Sequence, residues 1–323
     1  MHTLQQIQSL VSSAIADMNW QQQPEGLYAP IDYELRLGGK RLRPCLALMA
    51  ADMYDASLEH VMPVAKALEV FHNFTLLHDD VMDHADVRRG MPTVHRRWNE
   101  NTAILSGDAM SICAYRELAQ LPAEHLPGML DLFNTMALQI CEGQQYDMEF
   151  EVRKDVTVDD YMHMIRLKTA VLLATALRMG AVLGGASRHD ADQLYDFGIG
   201  MGVAFQLKDD YLDVYGNEAT FGKAIGGDIL CNKKTFMLLT AQQRADEASA
   251  AELARWLDTT ERSVQKIEAV TALYNRLDVP QVCLQAMDTY YRRALACLED
   301  VSVSSERKSV LATLAAKLME RQH

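Results

Sequence analysis

The sequence predicts an all-α protein, one domain of about a dozen helices over residues 1–323. Apolar residues return every three or four positions in VMPVAKALEVFHNFTLL, YMHMIRLKTAVLLATALRMGAVLGG and MDTYYRRALACL. Alternating patterns typical of strands are nearly absent. The breaks between helical stretches carry Gly, Pro or Ser, but none is long or polar enough for a domain linker. Several helices are apolar on most sides and are therefore expected at the centre of the fold.

Composition excludes several classes of function. The net charge of −13 argues against a nucleic-acid partner, because phosphate backbones are bound through clustered Lys and Arg. No apolar run reaches the roughly 18 residues of a membrane span, and the first residues do not resemble a signal peptide. The 6 cysteines are scattered without a C-x-x-C pair, so neither a disulfide framework nor a zinc site is indicated. A cytoplasmic location is expected.

An acidic motif follows the apolar run FTLL, in FTLLHDDVMDHADVRRG. In a helix, Asp79 and Asp83 lie one turn apart on one face, and Asp80 is displaced by about 100°. Like charges at this spacing repel, and apolar surroundings add a cost of desolvation. A cation between the carboxylates would remove both penalties. Asp86 lies beyond the motif and is interpreted as a loop acid.

The same frame, L-x-D-D-x-x-D, returns in QLKDDYLD, where Asp209, Asp210 and Asp213 repeat the arrangement. One such motif could be a solvated helix end, since acidic runs on exposed faces are common. Two copies inside apolar helices favour metal binding. Hard oxygen ligands on rigid helices suit magnesium, which keeps several waters and is completed by substrate phosphates.

Basic residues stand near these acids in sequence. GGKRLRP places Lys40, Arg41 and Arg43 beside two glycines, and Arg88 and Arg89 follow the first acidic motif. Arginine side chains match phosphate oxygens in a bidentate manner, so these residues are interpreted as diphosphate anchors. An isolated Gly-Lys-Arg loop would more often be a solvated turn.

Three further lysines are candidates for binding phosphate groups. Lys168, next to Thr169, lies in an otherwise apolar helix, where an unpaired lysine would be costly unless it reached the surface. Lys223 and Lys233 flank a glycine-rich turn that could close over phosphates. They could equally be ordinary loop lysines.

Together, GGKRLRP, DDVMDHADVRRG, LKTA, FQLKDDYLD and GKAIGGD, in this order, resemble the motifs of the trans-isoprenyl diphosphate synthase family. The resemblance extends from about Leu35 to the C-terminus. It implies a bundle of antiparallel helices around a deep central cavity, usually in a homodimer. It also implies head-to-tail, 1'-4 condensation of isopentenyl diphosphate with an allylic diphosphate, which is dimethylallyl, geranyl or farnesyl diphosphate.

The resemblance also assigns roles to residues. About three magnesium ions would be held on the allylic diphosphate by the two acidic motifs, Asp79, Asp80, Asp83, Asp209, Asp210 and Asp213. The same diphosphate would be contacted by Arg88, Lys168 and Lys223, with Lys233 as a further candidate. Isopentenyl diphosphate would be bound by Lys40, Arg43, His72 and Arg89. The dipoles of Thr169 and Gln206, with the backbone carbonyl of Lys168, would stabilise the allylic cation.

Product length is expected to depend on the residue at the floor of the substrate pocket. Phe74 lies five residues before Asp79, about 7.5 Å further along the helix axis, and is the proposed floor together with Thr75. Because Thr75 is not aromatic, the pocket has room for a twenty-carbon product, so geranylgeranyl diphosphate is favoured and farnesyl diphosphate is second. Phe74 could also be a core residue.

Two other functions remain open at this point. A class I terpene synthase also uses an aspartate-rich motif, but it has no need of a second diphosphate site at Lys40, Arg43 and Arg89. A non-catalytic subunit of a heteromeric prenyl synthase would be expected to lose acids, whereas this chain keeps all six.

Overall fold

The computed structural model describes residues 1–217, 225–259 and 263–320, and it confirms the all-α prediction. Its helices are Leu4–Ala16, Glu25–Arg36, Leu42–Asp52, Leu58–Met82, Val94–Arg97, Glu100–Leu118, Leu126–Val152, Val158–Ile165, Val171–Leu183, Arg188–Tyr215, Gly227–Leu230, Phe236–Arg244, Glu247–Asp258, Val264–Arg276, Val279–Asp300 and Ser305–Glu320. A π-helical segment, Arg166–Ala170, joins two of them. The sheet found in the described residues is a single antiparallel pair, Val87–Arg88 with Met91–Pro92.

Helix starts follow the local sequence. Thr3 and Gln6 form a reciprocal capping box at the first helix, and Thr157 and Asp160 form another before Val158–Ile165. In each box a side-chain oxygen accepts a hydrogen bond from a backbone N–H that has no partner within the helix. These contacts set where the helices begin.

The first of two compact units contains Met1–Asn134, Thr175–Leu194 and Val301–Leu311. Its long helix Leu58–Met82 packs along Glu100–Leu118 and Leu42–Asp52. From Pro44 onward every residue of Leu42–Asp52 is buried, which confirms that a helix apolar on all sides lies in the core.

The second unit contains Thr135–Ala174, Tyr195–Asp300 and Ala312–His323, apart from the residues not described. Within it, Phe236–Arg244 packs against Val158–Ile165, Val264–Arg276 and Val279–Asp300. The single domain over residues 1–323 stays a prediction. None of the described helices combines the length and the hydrophobicity needed to cross a bilayer.

The π-helical segment lies against a glycine of a neighbouring helix. A Cβ atom added to Gly143 would lie 2.4 Å from the backbone nitrogen of Lys168. The backbones can approach this closely only because residue 143 has no side chain. Gly128, on the same helix, has nothing within 4 Å of its added Cβ position.

We therefore expect Gly143→Ala to lower the free energy of unfolding by about 1–3 kcal/mol, because the new methyl group must displace the π-helical backbone. Gly128→Ala is the matched control and should be neutral or stabilising by up to about 1 kcal/mol, because alanine favours a helix. Urea denaturation of both variants measures the difference. Equal midpoints for the two variants would contradict the close approach at Gly143.

Candidate active site

The first acidic motif lies in the first unit, at the end of the helix Leu58–Met82. Asp83 is the C-terminal cap, and its N–H donates to the carbonyl of Asp79 at 2.8 Å. Asp80 is only 2% exposed. Arg88 donates to its carboxylate three times, from Nε to Oδ1 and Oδ2 at 2.9 and 2.8 Å and from Nη2 to Oδ1 at 2.7 Å. Asp80 is therefore committed to Arg88.

The strand pair after this motif presents the two arginines. The turn between the strands has left-handed backbone at Arg89 and Gly90, with φ of 53° and 77°. Arg89 donates from Nη1 to the carbonyl of Gly38, and a Cβ on Gly39 would lie 2.9 Å from its guanidinium. The GGKR loop and the strand pair therefore meet at Arg89. Asp86 is exposed and pairs with a neighbouring surface arginine, as expected of a loop acid.

Positive charge is concentrated around His72. Burial lowers the pKa of His72 well below its usual value, and the charges of Arg43, Arg89, Arg88 and Arg41 lower it further. His72 is therefore neutral at neutral pH. A bound anion would offset the repulsion among these groups. The structure thus gathers three of the residues predicted for isopentenyl diphosphate, Arg43, His72 and Arg89.

The arginines of the GGKRLRP loop differ in their partners. Burial lowers the pKa of Arg43 to about 10; Glu69 opposes this change and Arg89 adds to it. Arg41 instead donates to the carboxylate of Glu69 and to the carbonyl of Leu35. These contacts hold Arg41 against its own unit, and its interpretation as a diphosphate anchor stays a prediction. Lys40 is exposed at the start of this loop.

Glu34 was not singled out by the sequence. It is fully buried, and neither carboxylate oxygen has a hydrogen-bond partner among the described residues. Burial raises its pKa to about 7, Asp80 raises it further, and Arg88, Arg89 and Arg41 oppose the rise. In the sequence it is an ordinary acid of an amphipathic helix, and no pattern distinguishes it.

The proposed floor residue belongs to an aromatic row. The ring of Phe74 lies 5.3 Å from that of Phe71 and 4.8 Å from that of His78, and Phe71 lies 5.1 Å from Phe133. All three contacts are edge-to-face. The hydroxyl of Thr75 donates to a backbone carbonyl of its own helix at 2.8 Å. The row continues down the helix from the first acidic motif.

The second acidic motif lies in the second unit, in the helix Arg188–Tyr215. Asp210 is 4% exposed and accepts from the hydroxyl of Tyr161, from Nε2 of Gln206 at 3.1 Å and from the N–H of Phe236 at 3.4 Å. Burial raises the pKa of Asp210 to about 7; the Tyr161 bond opposes this rise and Asp228 adds to it. As in the first motif, the middle acid is held within its own unit.

The outer acids of this motif differ in exposure. Asp213 is nearly buried, and its Oδ2 accepts from the N–H of Asp228 at 3.0 Å. Asp209 is partly exposed and lies on the same helix one turn earlier. Of the three, Asp209 is therefore the most accessible.

Two of the predicted lysines share an acid that the sequence did not reveal. Lys168 donates from Nζ to Oδ2 of Asp147 at 2.6 Å, and Nζ of Lys233 lies 3.8 Å from the same oxygen. Although burial acts to raise it, the pKa of Asp147 is lowered by Lys233 and Lys168. Asp147 thus holds two ammonium groups close together. A single acid in a long helix carries no signal of this role in the sequence.

The groups predicted to face the allylic cation are also linked. The hydroxyl of Thr169 donates to Oε1 of Gln206 at 3.3 Å, and Gln206 donates onward to Asp210. This chain fixes the orientation of the Gln206 amide. Thr169 lies in the π-helical segment, a distortion that often occurs at functional sites. Lys223 lies outside the described residues.

No three acidic, histidine or cysteine side chains converge as a ready metal cage within residues 1–217, 225–259 and 263–320. The accessible donors are nevertheless hard carboxylate oxygens, Asp79 and Asp83 in the first unit and Asp209 in the second. Such donors fit magnesium, which binds through one or two carboxylates and takes its other ligands from water and substrate phosphates.

Comparison with known proteins gives consistent matches along the chain. A family model described as polyprenyl synthetase matches residues 24–274. A geranylgeranyl diphosphate synthase of Methanosarcina mazei is 42% identical over 238 residues, 73% of this chain and 74% of the relative. A short chain isoprenyl diphosphate synthase of Methanothermobacter thermautotrophicus is 36% identical over 301 residues, 93% and 92% of the two chains. A geranylfarnesyl diphosphate synthase of Natronomonas pharaonis is 36% identical, covering 84% and 89%.

Solved structures of prenyl synthases also superpose on this chain. A geranylgeranyl pyrophosphate synthase superposes with a TM-score of 0.94 at 42% identity over 100% of both chains. The corresponding enzyme of Pyrococcus horikoshii gives 0.92 at 29% identity over 98% of both. The chain therefore belongs to the polyprenyl synthetase family and is a trans-prenyltransferase.

Proposed function

We propose that this enzyme condenses isopentenyl diphosphate with an allylic diphosphate, head to tail, and that its main product is geranylgeranyl diphosphate. Prenyl synthases of this family act on these two classes of substrate and in general use Mg2+. The observation that carries the proposal is the cationic cluster around His72, which an anion such as diphosphate would stabilise. The lysine pair on Asp147 offers a separate anion site in the second unit.

The metal ligands are proposed among the acids that the structure leaves accessible, Asp79, Asp83 and Asp209. Asp80 and Asp210, which were also predicted to hold magnesium, are committed to Arg88 and to Tyr161, so they support the motifs instead. Bound Mg2+ would neutralise the diphosphate leaving group as its carbon–oxygen bond breaks. Asp213 accepts the Asp228 N–H and is placed with the supporting acids.

The protein's own cations would act on the same leaving group. Arg88, Lys168 and Lys233 are proposed to bind the allylic diphosphate, and Lys223 stays a prediction from the sequence. Positive groups fixed before the reaction stabilise developing negative charge without reorganising. Asp147 keeps Lys168 and Lys233 together until the substrate arrives.

Isopentenyl diphosphate is proposed to bind in the first unit. Arg43 and Arg89 would contact its phosphates together with the exposed Lys40. A neutral His72 can donate one ring N–H to a phosphate oxygen, and the bound charge would raise its pKa. The substrate's double bond then forms a carbon–carbon bond with the allylic cation. The diphosphate released from the allylic substrate takes up a proton from the resulting cation, which gives a product five carbons longer.

The allylic cation requires dipoles and the exclusion of water. The hydroxyl oxygen of Thr169, the amide oxygen of Gln206 and the backbone carbonyl of Lys168 are proposed to turn their negative ends towards it. Because Gln206 is held by Asp210, its dipole is fixed before the cation forms. An apolar pocket would keep water from trapping the cation.

A twenty-carbon product is proposed from the position of Phe74 and from the names of the relatives. Phe74 lies about 7.5 Å along the helix from Asp79 and is supported from below by Phe71. Several relatives of this chain are named geranylgeranyl diphosphate synthases. Thr75, with its hydroxyl bonded to its own helix, adds no bulk comparable to a ring.

A homodimer is proposed from the family resemblance and from one helix face in the first unit. Leu105 and Ile112, seven residues apart on Glu100–Leu118, are 60% and 62% exposed. Residues at this spacing share a face of a helix, so the two form an apolar patch that a second copy could cover. A cytoplasmic location is also part of the proposal, and cell fractionation would test it.

The first experiment incubates purified enzyme with isopentenyl diphosphate, Mg2+ and dimethylallyl, geranyl or farnesyl diphosphate, followed by chromatography of the dephosphorylated products. We expect a twenty-carbon alcohol from each primer, and EDTA should abolish it. A fifteen-carbon end point would correct the product length alone. Consumption of geranylgeranyl diphosphate without isopentenyl diphosphate would favour a terpene synthase, and no elongation by the purified chain would favour a non-catalytic subunit.

Phe74→Ala should lengthen the main product by at least one five-carbon unit, because removal of the ring opens the pocket towards Phe71. Phe74→Tyr keeps the bulk and should keep the wild-type end point. Product chromatography of the two variants measures the effect, and their melting temperatures monitor core packing. An unchanged product from a folded Phe74→Ala enzyme would show that Phe74 is only a core residue.

Light scattering should give a particle of twice the 36.3 kDa chain mass. Leu105→Asp and Ile112→Asp together should shift it towards the monomer, because charges placed in an apolar interface lose their hydration. Val264→Asp is the control, since Val264 is 69% exposed on a helix of the second unit. A monomeric wild-type protein would refute the dimer.

A further inference from the structure

Lys266, in the helix Val264–Arg276, has only 1% of its surface exposed. A lysine is rarely buried to this extent, because its ammonium needs partners that replace water. Its Nζ donates to Oδ1 of Asn232 at 2.7 Å and to the carbonyl of Thr259 at 3.2 Å. The buried ammonium therefore connects its helix to the turn that contains Asn232.

Asn232 lies in the turn, in a backbone conformation that few residue types adopt without strain. Its φ is 53°, in the left-handed region that asparagine tolerates better than most residues. Its amide is used at both ends, because Nδ2 donates to the carbonyl of Leu257 at 2.8 Å while Oδ1 accepts from Lys266. The side chain is thus clamped between two other segments.

The residue after this turn is Lys233. Its N–H donates to the carbonyl of Asp228 at 2.9 Å, and its Nζ lies 3.8 Å from Oδ2 of Asp147. The direction in which Lys233 leaves the backbone depends on the left-handed residue before it. A shift of Asn232 would therefore move Lys233 away from the acid it shares with Lys168.

The chain segment before Asn232 makes a second contact with the helix Val264–Arg276. A Cβ atom added to Gly226, which has a φ of 79°, would lie 2.8 Å from side-chain atoms of Ile267. Ile267 is the neighbour of Lys266. The segment from Gly226 to Lys233 is thus supported by the helix Val264–Arg276 at two successive residues, by apolar contact at one and by hydrogen bonds at the other.

We infer that Lys266 is a positioning residue for the allylic diphosphate: through Asn232 it holds Lys233 where the diphosphate binds. The inference rests on the role proposed for Lys233 in allylic diphosphate binding. Lys266 itself touches no substrate. It acts by fixing the turn, and a displacement of about 1 Å at a binding group is enough to cost up to about a hundredfold in rate.

The test compares Lys266→Met, which keeps the length of the side chain and removes its donors, with Asn232→Gly, which keeps the left-handed turn and removes the amide. Each should raise the KM for the allylic diphosphate by about ten- to a hundredfold, the loss expected when one charged hydrogen-bonding group is displaced. The KM for isopentenyl diphosphate should change less than about twofold, since Lys233 is not among its proposed ligands. Because both variants remove the Lys266–Asn232 hydrogen bond, the effect of the double variant should be smaller than the product of the two single effects.

Arg276→Met is the matched control, because Arg276 is an exposed residue of the same helix that pairs with Glu252. It should leave both KM values unchanged. Lys233→Ala is the reference for the proposed binding role and should raise the allylic KM. Should Lys266→Met fail to fold, Asn232→Gly breaks the same contact from the other side.

The outcomes separate the inference from the proposed function. If Lys233→Ala raises the allylic KM and a folded Asn232→Gly or Lys266→Met does not, the positioning role is overturned while the role of Lys233 stands. If Lys233→Ala also has no effect, both are overturned. Equal losses with both substrates would show a merely structural role. A crystal structure of Lys266→Met with Lys233 displaced from Asp147 would support the inference directly.

Discussion

The need to hold like charges close together governs the structure of the first unit. Four arginines lie near the neutral His72, and their like charges repel one another. The unit offsets the repulsion with buried acids, since Asp80 binds Arg88 and Glu69 binds Arg41. Glu34 adds a third carboxyl group with an unusually high pKa. The acids thereby hold the arginines in position, but burying these carboxyl groups itself costs free energy.

In the second unit, a single acid offsets the repulsion between two lysines. Asp147 lies between Lys168 and Lys233, so neither ammonium has to be held by water alone. In both units the middle aspartate of the acidic motif serves as an internal anchor. The repeated D-D-x-x-D frame therefore encodes two kinds of carboxylate, one that supports the protein and one that is accessible.

The sequence predicted the helices because their apolar periodicity extends over many turns, as in Leu58–Met82. It also located both acidic motifs, because two copies of one frame are a strong signal. The short strand pair was missed, since strands of two residues cannot show alternation. The side-chain partners of Arg41, Lys168 and Lys266 are more than 20 residues away in the sequence, and no local pattern predicts such pairings. The pairing of Arg41 with Glu69 could therefore not be seen before the fold was known.

The helix Leu42–Asp52, buried from Pro44 onward, begins within the GGKRLRP segment and includes Arg43 in its first turn. Amides in such a helix exchange with solvent only when most of the structure opens. Arg43 thus directly precedes a stretch that is expected to open only with the core. We therefore expect the support of the cationic cluster on its Arg43 side to persist on heating until the buried part of this helix opens.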